Sequence, residues 1–187
     1  MAAAKDLSTS TQEFIACWGD MASHWGVSRT MAQIYALLFV STAPLDTEQI
    51  MAELTISRGN ANINLHKLMD WQIVRKVEVP ETRRDFFVAE KDIWQLTARI
   101  VQERQSREIR PLTESIRQIQ QSLQELPDGS PRTMRPEETE FAQNLARMQD
   151  FLQLFEQVSG IFLSLLQERK LDQLTTLLTL FAPAPTR

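Results

Sequence analysis

Apolar residues recur along this chain first at helical and then at strand spacing. From about Ser10 to Trp25, the positions Phe14, Ile15, Trp18, Met21, Ala22 and Trp25 form one stripe of an amphipathic helix, and Gly26 is a natural C-terminal stop. A second helix, capped by Ser28, carries Met31, Ile34, Tyr35, Leu38 and Phe39 toward Pro44. Asp46 can cap a third, with Gln49 closing a capping box ahead of Ile50, Met51 and Leu54. Thr55 and Ile56 make a turn. Ser57 caps the next helix, SRGNANINLHKLM, whose Ala61, Leu65 and Leu68 fall at i, i+4 and i+7 with Met69 beside them. The rhythm then changes. After Trp71 and Gln72, IVRKVEV is rich in β-branched residues (Ile73, Val74, Val77, Val79), Pro80 ends it, and DFFVAE pairs back after PETRR.

Helix, tight turn, helix and hairpin in that order predict a winged helix-turn-helix, a module that commonly reads the DNA major groove. Beyond the wing, Asp92 caps a helix predicted to run to about Leu126, ~50 Å at ~1.5 Å per residue, with Pro111 kinking it. In its far half Ile109, Leu112, Ile116, Ile119, Leu123 and Leu126 alternate steps of three and four, the spacing of a packed coiled-coil seam. PDGSPRTMRP breaks the chain, and Phe141, Leu145, Met148, Leu152 and Phe155 form a second seam. The two seams predict an antiparallel helical hairpin, within one chain or across a dimer. Gly160 marks a close approach or a bend, and Leu171, Leu174, Leu177, Leu178 and Phe181 form a last amphipathic stretch. The expected fold is therefore mainly α: a winged helix-turn-helix domain with a small β-hairpin wing over residues 1–91, and a C-terminal helical dimerisation region over residues 92–187.

The second helix of the turn motif is unusual on its outer side. Winding it at about 100° per residue puts Gly59, Asn60, Ile63, His66 and Lys67 opposite the buried stripe, with Asn62 and Asn64 on the flanks. Asparagine can pair with adenine, and Ile63 can cover a thymine methyl. Three asparagines lower helix propensity, a cost that contact with base edges would offset. Gly59 lets the backbone come close, and Arg58 at the helix start can take a phosphate or a guanine. At the wing tip Arg83 and Arg84 can lie along the backbone or enter a minor groove. Arg75 and Lys76 are ambiguous, and a solvated surface helix with a charged hairpin tip is the plainer alternative.

Charge changes that picture. The net charge is −4, and the segment from Asp46 to Lys91 holds seven Lys and Arg against eight Asp and Glu. DNA binding must then rest on local segregation, with Arg58, Lys67, Arg83 and Arg84 on one face and the acids elsewhere. An apolar fraction of 43% over 187 residues suffices for a globular domain with a helical extension. The single Cys17 cannot form an intramolecular disulfide, fits a reducing cytoplasm, and lies among helical apolar residues as a core position. The opening MAAAKDLSTSTQEF lacks an apolar stretch, and GIFLSLL is broken by Gln167, Glu168, Arg169 and Lys170, so neither export nor a membrane span is expected.

The run LTISRGNANINLHKLMDWQIVRKVEVPETRRDFFVAEKDIWQL resembles the winged helix of the MarR superfamily, and within it the GbsR-type regulators. Asp92, Ile93 and Trp94 match the Asp-x-Trp start of the long helix in that group; the likeness covers roughly residues 28 to 110, and beyond it only the helical character is shared. The resemblance implies a dimeric bacterial transcription factor, often a repressor, and some relatives answer to choline or related osmolyte chemistry.

Two histidines, His24 and His66, one cysteine, no Gly-rich phosphate loop and no metal-ligand spacing leave no catalytic or metal site to name and no cofactor to expect. Four tryptophans beside one tyrosine are a skewed choice, and Trp25, Trp71 and Trp94 lie at element ends. With Tyr35 they are candidate effector-binding residues, since an aromatic box holds a quaternary ammonium at ~0.5 to 2 kcal/mol per contact. Hydrophobic packing is the alternative. The reading that follows is a cytoplasmic homodimer binding a palindromic operator in double-stranded DNA, with a quaternary ammonium or other osmolyte-related ligand as possible effector. The alternative is a helical protein-interaction module that keeps the winged fold as scaffold.

Overall fold

Ser8 accepts a hydrogen bond from the Thr11 amide and so starts α1, Thr9–His24. Gly26 ends it: at φ 74° the chain turns left-handed, so that Val27 N–H reaches the Ala22 carbonyl and Gly26 N–H reaches that of Ser23. The computed structural model describes residues 8–124, 130, 133–169, 172, 173, 175, 176 and 179. They fall into two units divided between Arg99 and Ile100.

In the first unit α2, Arg29–Val40, is the centre. Met31, Ala32, Ile34, Tyr35, Ala36, Leu37 and Leu38 are all buried, so the helix is enclosed all round rather than along the single stripe expected. It packs on α1, on α4 and on the sheet. Against α1 the approach is close at Gly19, where a Cβ would fall 2.7 Å from Gln33 Cγ. Of the α1 stripe, Ile15 and Ala22 are buried, whereas Met21 and Trp25 stand in solvent. Cys17, expected in the core, is exposed, because it lies on the side of α1 away from Ile15 and Gly19.

The turn motif is set by local chemistry. Asp46 accepts from the Gln49 amide at 2.8 Å while Gln49 Oε1 accepts from the Asp46 amide at 2.9 Å, which starts α3, Thr47–Leu54. Thr55 takes a left-handed φ of 52°, and Ser57 then accepts from the Asn60 amide to cap α4, Arg58–Asp70. The wing is β2, Val74–Val77, against β3, Phe86–Ala89, with Val74 opposite Ala89 and Val77 opposite Phe86. A third strand joins it: β1, Leu45–Asp46, pairs antiparallel to β3, giving the order β1-β3-β2. Two residues carry no alternation, so only the hairpin could be read from the sequence.

Asp92 Oδ1 accepts from Trp94 N–H at 2.9 Å at the start of α5, Ile93–Arg104. The path then passes through one wide turn, Gln105–Ile109, into α6, Arg110–Gln124. Pro111 has no N–H to give the carbonyl one turn back, and the helix accommodates it by a π-type turn in which Arg110 N–H bonds the Gln105 carbonyl.

In the second unit α7, Pro136–Gln167, packs on α6 within the same chain. Their shared core is Ile116, Leu145 and Leu152, with Ile109 and Leu123 partly buried against it. Only part of each expected seam lies inside. Leu112 and Ile119 of α6, and Phe141, Met148 and Phe155 of α7, are exposed, because one α7 covers one line of α6 and the alternate positions point past it. Leu126 and the stretch Leu171, Leu174, Leu177, Leu178 and Phe181 lie outside the described residues.

Candidate nucleic-acid interface

α4 buries Ala61, Asn64, Leu65 and Leu68 and leaves Gly59, Asn60, Asn62, Ile63, His66 and Lys67 exposed. Ile63 is 59% exposed, so its side chain stands free on the outer face of α4. A Cβ at Gly59 would meet nothing within 4 Å, so the absence of a side chain there serves no internal packing.

Asn64 departs from the flank position expected of it. It is 4% exposed, and its Nδ2 donates to the Asn60 carbonyl at 2.8 Å and to Asn60 Oδ1 at 2.7 Å. It is thus turned toward the core and holds the side chain of Asn60. The remaining lone pair and the Nδ2 of Asn60 stay available for an adenine edge. The spacing held this information, since Ala61, Asn64, Leu65 and Leu68 form an i, i+3, i+4, i+7 set.

The cations are not segregated from the acids. Arg58, the first residue of α4, pairs with Glu48 in the first turn of α3. Two residues earlier, Asp46 Oδ2 accepts from Arg84 Nη1 of the wing at 2.9 Å. Asp46 is 5% exposed, so one carboxylate caps α3 through one oxygen and anchors the wing through the other. Lys76 Nζ lies 2.6 Å from Asp85. The start of the recognition helix and the tip of the wing therefore meet at a single turn, residues 46–48. Arg83 and Lys67 are exposed.

The candidate effector residues are spread along the same unit. Trp25 is 60% exposed at the end of α1, Trp71 is half-buried at the end of α4, and Trp94 is 39% exposed at the start of α5. Tyr35 is buried, and its hydroxyl donates to the Glu90 carbonyl at 2.7 Å. Burial first, and the Glu90 charge second, push its phenol well above the ordinary tyrosine range, so it stays a donor. The ring contacts join a different set: Phe14 with Trp18, Trp18 with Tyr35, and Phe39 with both Phe14 and Tyr35, at centroid distances of 5.8 to 6.3 Å. These four rings lie between α1 and α2, with Tyr35 buried and Phe14, Trp18 and Phe39 half-buried around it.

His24 Nδ1 lies 2.7 Å from the Asp20 carbonyl, a hydrogen bond within α1. Among the described residues no three His, Cys, Asp or Glu gather as a metal site, and no helix is long and apolar enough to cross a membrane.

A sequence model of the MarR family matches residues 25–85, from the end of α1 to the residue before β3. A solved structure, the crystal structure of a transcriptional regulator, superposes with a TM-score of 0.63 over 85% of this chain and 99% of its own, at 16% identity. That likeness is one of fold: a winged helix-turn-helix continued by C-terminal helices. No curated protein matches the chain.

Proposed function

We propose that this chain is a transcription regulator of the MarR superfamily that binds double-stranded DNA as a homodimer, with α4 in the major groove and the wing on the adjacent backbone or minor groove. The observation that carries it is the outer face of α4. Asn60, Asn62 and exposed Ile63 suit base edges better than water, and the opposite face is fixed in the core. The match to the MarR family over residues 25–85 supports the same reading. Two copies related by a two-fold axis read a palindrome whose half-sites lie ~34 to 36 Å apart. The resemblance to GbsR-type regulators favours repression.

Selection of random duplexes on the purified chain, followed by mobility shift on the DNA flanking its own gene, tests the reading. The expected result is enrichment of one palindrome and a shift that an unrelated duplex does not give; failure to enrich any sequence overturns it. On the selected duplex, Asn60→Ala or Ile63→Ala is expected to lose about 1 to 3 kcal/mol while binding to unrelated DNA holds. Equal losses on both would remove α4 from base reading. Arg83→Ala behaves oppositely, weakening both duplexes and flattening the salt dependence by about one.

Effector control is part of the proposal, and its candidates are the surface rings Trp25 and Trp94 with Trp71. Choline is expected to quench tryptophan emission saturably and to change operator affinity, and Trp94→Ala to abolish both. Quenching that survives this substitution assigns the rings to packing. A second reading, a helical interaction module on a winged scaffold, draws on the acidic net charge and on the apolar side of α7 that the chain leaves uncovered. A chain that enriches no DNA yet stays folded favours it.

A further inference from the structure

Asn64 is a polar residue on the buried line of α4. It stands in the set Ala61, Asn64, Leu65, Leu68, where a leucine would extend the apolar stripe, and it is 4% exposed. An asparagine there lowers helix propensity, and it is tolerated in a core only with its polar atoms bonded. Its Nδ2 donates two hydrogen bonds, and both go to one residue: to the Asn60 main-chain carbonyl at 2.8 Å and to Asn60 Oδ1 at 2.7 Å.

Those two bonds fix which way round each amide lies. A main-chain carbonyl can only accept, so the Asn64 atom facing it is the nitrogen, and the Asn60 atom facing the second hydrogen of that nitrogen must be the oxygen. Turning the Asn60 amide over would set two donors against each other. Asn60 itself is exposed in the first turn of α4, the part of a recognition helix that meets base edges. With Oδ1 tied inward by one lone pair, Nδ2 faces outward and the other lone pair of Oδ1 remains. Adenine answers that arrangement in the major groove, N7 accepting from Nδ2 and N6 donating to Oδ1. An amide without this tie would have to be ordered on binding and could equally present its oxygen first.

We propose that Asn64 is a positioning residue for base reading: from the buried side of α4 it holds the Asn60 amide nitrogen-outward and so sets this turn of the helix to read adenine. This rests on the DNA-binding reading above and assigns to it a residue that touches no DNA.

The test is Asn64→Leu, which fills the buried place with an apolar side chain and removes the donor. Single base-pair substitutions are made through the duplex that selection with the parent chain enriches. Affinities are measured for the parent, Asn64→Leu, Asn60→Ala and the double variant, with urea titration to show that each is folded. Asn60→Ala is expected to erase the preference for A·T at its position in each half-site. Asn64→Leu is expected to lower that same preference about three- to tenfold, to leave the others within about twofold, and to add nothing to Asn60→Ala. At that position 7-deazaadenine, which lacks the N7 acceptor, is expected to weaken the parent about three- to tenfold and Asn64→Leu by less than about twofold. Should Asn64→Leu not fold, Asn64→Ala, smaller and with a higher helix propensity, takes its place. A preference that the Asn64 variant leaves unchanged, a loss spread over all positions, losses that add to those of Asn60→Ala, or a base other than adenine at the position Asn60 reads overturns the proposal. If the parent enriches no duplex, the DNA reading falls and this inference with it; if it enriches one and the Asn64 variant keeps the parent's profile, this inference alone falls.

Discussion

Ile116→Asp is expected to destabilise the helical hairpin of α6 and α7 by about 4 kcal/mol or more, the scale of an uncompensated buried charge. Ile116 is 3% exposed and packs on Leu145 and Leu152, with Ile109 and Leu123 around them. No described cation or donor belongs to that core, so the carboxylate must either be protonated or open the helices. Against a total stability of about 5 to 15 kcal/mol for a domain, the loss is large enough to read directly in urea titration followed by circular dichroism. Ile119→Asp serves as its contrast. At 42% exposure within the chain, Ile119 can turn a charge into water, and the variant is expected to keep the melting midpoint of the isolated hairpin fold. If Ile116→Asp melts with the parent, the assignment of the inner face of α6 is wrong.

That contrast marks how far spacing carries. The steps of three and four along α6 identify an apolar band but not which half of it a single partner covers. Ile109, Ile116 and Leu123 went in, while Leu112 and Ile119 stayed out. Where chemistry is local the sequence is a close guide. The Asp46 and Gln49 capping box, the Ser57 cap and the Gly26 stop each involve atoms within five residues, and each is found where those residue types call for it. Non-local contacts are what spacing misses. β1 exists only because Leu45 and Asp46 meet Phe87 and Phe86, some forty residues away. The Arg84 to Asp46 bridge is equally long-range, and it undid the expected separation of cations from acids.

The candidate site divides in the same way. The exposed set Gly59, Asn60, Asn62, Ile63, His66 and Lys67 follows from winding one helix, and it was legible. Asn64 is polar yet buried, because its position between Ala61 and Leu65 on the inner face decides its place more than its polar character does. For the aromatics, location at element ends says nothing about contact. Two of the four ring contacts, Phe14 with Trp18 and Tyr35 with Phe39, join residues four apart on single helices, a spacing legible in the sequence, whereas Trp18 with Tyr35 and Phe14 with Phe39 meet between α1 and α2.

Phe151→Glu combined with Phe155→Glu is expected to convert the chain to a monomer and to lower operator affinity by about 10² to 10⁴-fold. On α7 the positions Met148, Phe151, Phe155, Val158 and Phe162 alternate steps of three and four, and they are exposed by 50%, 64%, 43%, 57% and 38%. They form a second seam beside the one that Leu145 and Leu152 bury against α6. These exposed apolar positions are where the homodimer proposed above would close, since a second copy presenting the same seam across a two-fold axis would cover both at once. The substitutions point two charges into that contact and leave the buried residues of α7 alone. Helical content should therefore hold while sedimentation shifts to the monomer. Affinity falls because the second half-site is no longer held at the high effective concentration that a joined pair of winged domains provides. A parent that sediments as a monomer at every concentration, or a variant that remains dimeric, would assign this seam to another partner.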